Sequence, residues 1–139
     1  MALSYGTLMK KNLLFASLVA VLLTVSAPVF AHHSANAEFD TTKEFTMTGT
    51  LTKVENVNPH SWWYVDVKGP DGKVTSWKLE SLAPAGLIRQ GLKLKTNVQI
   101  PGTYQFRVSP AWKDPDPNTK LAFMKAIIVD GKEYVVVEL

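Results

Sequence analysis

The chain has 139 residues, with 15 Lys and Arg against 12 Asp and Glu, three His and no Cys. Thiol chemistry, disulfide staples and Cys-ligated metals are therefore excluded, and any transition-metal site has to come from His, carboxylate, Met or a terminal amine. The formal charge of +3 falls to about +1 if Lys10 and Lys11 are removed with a leader, because every acidic residue lies beyond residue 31. That leaves little attraction for a phosphate backbone, and no nucleic-acid partner is expected.

The leader is read from layout. Lys10 and Lys11 precede an apolar run from Leu13 to Val25, Pro28 interrupts it, and Val29-Phe30-Ala31 offers a peptidase site, which together predict a signal peptide over residues 1–31 cut after Ala31. The run is shorter than the roughly 20 residues of a spanning helix, so no membrane association is expected after cleavage. Met9 stands where a leader usually starts, and residues 1–8 carry nothing in the reading. Residues 32–139 suffice for one domain with one core, placed in the periplasm or outside the cell.

In chain order, Phe45, Met47, Gly49 and Leu51 alternate with Thr46, Thr48, Thr50 and Thr52, the period of a half-buried strand. A second strand is expected over Trp62–Lys68, then the turn Gly69-Pro70-Asp71-Gly72, then a third strand over Val74–Glu80. Between Ser81 and Gly91 the spacing of Leu82, Leu87 and Ile88 predicts one short helix, with Pro84 near its start and Gly91 at its end. Short strands are expected over Lys95–Ile100 and Thr103–Val108. A Pro-rich loop from Pro110 to Asn118 follows. A strand over Leu121–Val129 then joins Tyr134–Leu139 through Asp130-Gly131-Lys132. This order predicts an all-β fold with one short helix, an OB-like small barrel of five to six strands, with a plain β-sandwich as the alternative.

The three histidines are the most informative residues. Cleavage after Ala31 would free His32, whose α-amine and ring Nδ1 can chelate one metal, and a second imidazole would complete a three-nitrogen set suited to Cu(II). His60, in Asn58-Pro59-His60, is the internal candidate, and His33 is a substitute or extra ligand. The competing reading is a disordered chain end and a turn His that only makes a hydrogen bond. Alternation along the second strand places His60, Trp62 and Tyr64 on one face and Trp63, Val65 and Val67 on the other, which reads as core. Trp62 and Tyr64 are then candidate ligand-binding aromatics, since OB barrels often bind ligands across strands two and three. Trp77 is expected to point inward beside Leu79.

Glu80 and Arg89 bracket the helical segment and suit a pair that fixes it to the barrel. Asp66, Asp71, Asp114 and Asp116 fall at exposed strand or turn positions, as solvated or capping carboxylates do. No Gly-x-Ser-x-Gly elbow, HExxH helix or glycine-rich phosphate loop occurs, so the chain reads more as a binding or accessory module than as an enzyme.

His32-His33-Ser34, Glu38-Phe39-Asp40 and Asn58-Pro59-His60-Ser61-Trp62, continued by Asp71-Gly72-Lys73, Trp77, Glu80, Pro84, Arg89 and Gly91, carry a resemblance to a family of small exported bacterial proteins of unknown function. It spans most of residues 32–91. Further on, the chain departs from that family's pattern at Ile100-Pro101-Gly102-Thr103 and in its longer Pro-rich loop. The resemblance implies exported OB-like architecture and points to the same histidines without naming a reaction. The expected function is an exported, monomeric or weakly associating module for a metal ion, copper first, or else an aromatic-faced module for a small ligand, glycan or protein.

Overall fold

Thr alternating with apolar residues builds β1 (Phe45–Glu55), with Met47, Gly49 and Leu51 buried and Thr46, Thr48 and Thr52 exposed. The computed structural model of the protein describes residues 35–137; the expected leader, His32 and His33 lie outside them. β1 pairs antiparallel with β2 (His60–Lys68), and β2 with β3 (Val74–Leu82). The β2–β3 turn is closed by Gly69 N–H donating to the Lys73 carbonyl at 2.8 Å, and Gly72 turns at φ +81°. β4 (Gly102–Pro110) returns along β1, and β5 (Thr119–Val129) along β4. β6 (Lys132–Val135) adds to the end of β5. Its hairpin turn has positive φ at both Asp130 (50°) and Gly131 (77°), the type I′ geometry that an Asp-Gly pair favours.

Parallel pairing of β3 with β5, from Ser76 opposite Thr119 to Glu80 opposite Phe123, closes five strands into a barrel. This is the OB-like order, with β6 as the extra strand, and not a two-sheet sandwich. Trp63, Leu51, Leu79, Phe106, Met124 and Ile127 fill the interior and are fully buried. Trp77 packs against this core from a half-buried position, its ring edge to Phe45 at 5.7 Å. A second, smaller cluster lies outside it, where Phe39, Leu121 and Phe123 pack with Trp62, Ala111 and Val137.

Strands β2, β4, β5 and β6 each begin one or two residues before the expected start, and larger differences fall elsewhere. Ser81 and Leu82 extend β3, so the helix is α1 (Pro84–Arg89), with Pro84 in its first turn and Gly91 at φ +84° just beyond its end. The strand expected over Lys95–Ile100 is instead the single helical turn α2 (Leu94–Asn97). There the Asn97 side chain accepts from Lys93 N–H at 2.8 Å, while Leu94 and Val98, four apart, both pack on the core. The last strand stops at Val135. Among the described residues no helix is long and apolar enough to cross a membrane.

Ion pairs tie the strand ends together. Arg107 donates to Glu44 (3.1 Å) and Glu133 (3.0 Å), and the buried Lys125 reaches the other Glu44 oxygen at 3.2 Å. Desolvation is the largest influence on Glu44 and pushes its carboxyl up, but the hydrogen bonds and charges of Arg107 and Lys125 together hold it below its ordinary value. A carboxylate lowered on folding stabilises the fold above its unfolded pKa of about 4.3 and loses that contribution as pH falls through the folded value. Glu44→Gln should therefore flatten the acid limb of a stability-versus-pH curve followed by urea unfolding, and an unchanged limb would contradict the pairing.

Close packing sets a second expectation. A Cβ at Gly49 would lie 2.5 Å from Val65 Cγ1 and 3.0 Å from the Asp66 carbonyl oxygen, so β2 passes over β1 only because position 49 has no side chain. Gly49→Ala should cost about 1–3 kcal/mol in urea unfolding. Val65→Ala in the same chain should cost less than the sum of the two single changes.

Candidate functional site

The outer face of β2 and β3 carries the candidate residues, and the antiparallel pairing of these two strands gives them a neighbour in Glu80. His60 opens β2 opposite Leu82, and Glu80 lies near the end of β3 opposite Trp62, two register positions away on the same face. The His60 Nδ1 meets Glu80 Oε1 directly. The ring is 46% exposed while the carboxylate side chain is only 8% exposed, so the pair points its imidazole outward from a buried acid. Burial pushes the Glu80 carboxyl up, the positive end of His60 opposes this, and the charge of Glu38 adds to the rise. In a neutral ring facing an ionised Glu80, Nδ1–H donates and Nε2 keeps the lone pair.

Glu80 was expected to pair with Arg89 and does not. Its carboxylate is taken by His60 on the neighbouring strand, whereas Arg89 is exposed at the end of α1 and makes no ion pair among the described residues. The role of Glu80 could have been found only from cross-strand register.

Trp62 and Tyr64 share the face of His60, both half-buried, as alternation predicted. Their ring faces are occupied by the protein's own cations. Lys78 Nζ stands 4.1 Å from the Trp62 ring centre, and Lys53 Nζ 5.2 Å from that of Tyr64. The Tyr64 hydroxyl donates to Glu55 at 2.9 Å, and Lys53 donates to the other Glu55 oxygen at 2.5 Å. Burial, and then the Glu55 carboxylate, raise the Tyr64 phenol, which stays a donor.

The lead-in before β1 crosses this region. Phe39 is 1% exposed and stacks at a tilt on Phe123, 5.4 Å between ring centres, and Phe123 is the register partner of Glu80. The segment is clamped by the end of β4 and the loop after it. Asp40 N–H donates to the Pro110 carbonyl at 2.8 Å, Trp112 N–H to the Glu38 carbonyl at 2.9 Å, and Trp112 Nε1–H to the Asn36 carbonyl at 3.0 Å. The Pro-rich loop thus has a definite task. It is itself ordered by Asp114, which accepts from Lys120 and from Leu121 N–H, and by Asp116, which accepts from Asn118 N–H. The sequence marks Phe39 only as part of the Glu38-Phe39-Asp40 motif and Trp112 only as one of several aromatics expected mostly in the core; Trp112 is instead 60% exposed, and neither residue's part in the clamp is legible. Among the described residues no three His, Asp or Glu side chains converge as a metal-holding group.

The clamp is testable apart from any ligand. Trp112→Phe removes one donor and should lower stability by about 1 kcal/mol. It should also raise amide hydrogen exchange at Phe39 and Asp40 above that of β1, and unaltered exchange there would show that the indole bond does not hold the lead-in.

No curated protein and no solved structure matches the chain. A family model, described as a family of unknown function (DUF6152), matches residues 19–113, more than half of the chain. That stretch runs through the lead-in, the paired His60 and Glu80, and the clamp residue Trp112. The chain accordingly belongs to the DUF6152 family of unknown function.

Proposed function

We propose that the protein is an exported binding module that handles copper, with His32 of the processed chain, through its α-amine and ring, and His60 as ligands, and His33 as substitute or extra ligand. One observation carries this reading: a buried carboxylate holds the Nδ1 side of an imidazole that is itself about half exposed. A carboxylate behind a histidine is the usual support of a metal-binding imidazole, fixing its tautomer and raising its basicity.

Two further features support it. The described chain starts at Ala35, and its next residues are bonded to Trp112 close enough to Glu80 for the Glu38 charge to act on that carboxyl. His32 lies three residues before Ala35 in the sequence. The ligand set is nitrogen-rich and lacks thiolate, and Cu(II) stands highest among divalent first-row metals for such donors. The other reading, a stacking platform on Trp62 and Tyr64, would first have to displace Lys78 and Lys53 from the ring faces, at a cost of about 0.5–1 kcal/mol for each exposed cation–π contact.

Copper titration of the protein beginning at His32, followed by electron paramagnetic resonance, tests the proposal. His60→Ala and a form with one extra residue before His32 should each bind more weakly. Glu80→Gln should lose about 10–100-fold in affinity while keeping all ligands. Equal affinity in the native, extended and His60→Ala forms would overturn the proposal.

A further inference from the structure

A second concavity lies at the end of the barrel covered by α1 and α2, with a volume of about 410 Å³. Its apolar wall is made by Pro84, Leu87, Ile88, Leu92 and Leu94. Leu87 and Leu92 are buried at its floor, and Ile88 stands 57% exposed at its rim. Lys93 and Lys95 also line it, both exposed, and neither makes an ion pair among the described residues. From Ser81 to Lys113 the chain has no Asp or Glu. Glu55, next to the lining residue Asn56, is already engaged by Lys53 and Tyr64. An apolar floor with uncompensated ammonium groups at its mouth is complementary to an anion that carries an alkyl chain.

We propose that this groove binds a free medium-chain alkyl carboxylate, its chain against Pro84, Ile88 and Leu94 above the buried Leu87 and Leu92, and its carboxylate between Lys93 and Lys95. The volume lies within the range of about 300–1,000 Å³ in which proteins enclose one small molecule. The apolar surface is concave, and α1 has only six residues, whereas peripheral membrane binding uses a longer amphipathic helix that presents its apolar face outward. A single soluble amphiphile fits that shape better than a bilayer does. The lysine stems can lie along the chain while their ammonium groups stay in water.

The test titrates dodecanoate into the protein purified from its full-length gene, by calorimetry and by methyl NMR. Saturable binding is expected, with the largest shifts at the Ile88 and Leu94 methyls. Dodecanol should bind more weakly, and Lys93→Gln with Lys95→Gln should weaken dodecanoate by about tenfold. Both lysines are exposed, so this variant tests charge without disturbing the core; Ile88→Glu, at an exposed rim position, should abolish binding. The proposal is overturned by absence of saturable binding, by equal affinity for dodecanol, by indifference to the lysine changes, by shifts located elsewhere, or by binding only to anionic phosphatidylglycerol vesicles.

Discussion

Parallel pairing of β3 with β5 is the constraint from which the rest of the molecule takes its form. A meander of β1, β2 and β3 would otherwise leave the outer edge of β3 unpaired, open to pairing with other chains. Placing Thr119–Phe123 along Ser76–Glu80 removes that edge and seals Trp63, Leu79 and Phe106 inside. It also sets Phe123 beside Glu80 on the outside of the seam, where Phe39 covers the aromatic ring. A barrel strand normally buries one face. Here Leu79, Glu80 and Ser81 are all buried in succession, because the lead-in shields the face that would otherwise meet water.

The buried acid follows from that shielding. A carboxylate removed from water costs free energy unless something compensates its charge, and the partner available on this face is His60, diagonal to it across β2 and β3. Most other acids on the surface are matched at short range by lysine or by a turn amide, as with Glu55, Asp114 and Asp116. An exposed base on a buried acid is also found in Lys43 and Asp40, but at His60 and Glu80 the exposed partner is an imidazole, which in its neutral form can offer a lone pair. That difference makes the pair a candidate for chemistry and not only for packing.

Much of the barrel was legible in the sequence wherever one physical rule acted alone. The Thr alternation of β1, the division of β2 into a Trp63–Val65 face and a Trp62–Tyr64 face, the Asp130-Gly131 turn, and Pro84 and Gly91 flanking a helix are each dictated by local geometry. The segment after Gly91 was misread because Leu94 and Val98 suit a strand or a helical turn equally, and the side-chain bond of Asn97 decides between them. The Glu80 partner was misread for a different reason: two residues assigned to a helix belong to β3, and only strand register brings the carboxylate to His60. Phe39 and Trp112 gave almost no signal, since the bonds that join them are 70 or more residues apart in the chain. His60 stood out in the sequence, but what makes it unusual is the acid behind it.

The central claim is that Glu80 fixes the His60 imidazole with its proton on Nδ1 and its lone pair on Nε2. Long-range ¹H–¹⁵N correlation NMR of the histidine rings, with His60 assigned by its absence from His60→Ala, measures this directly. The account predicts a pyridine-type shift at Nε2 in the neutral ring and its redistribution toward the Nε2–H form in Glu80→Ala. A ring that is mainly Nε2-protonated in the native protein, or whose nitrogen shifts are the same with and without the Glu80 carboxylate, would contradict it.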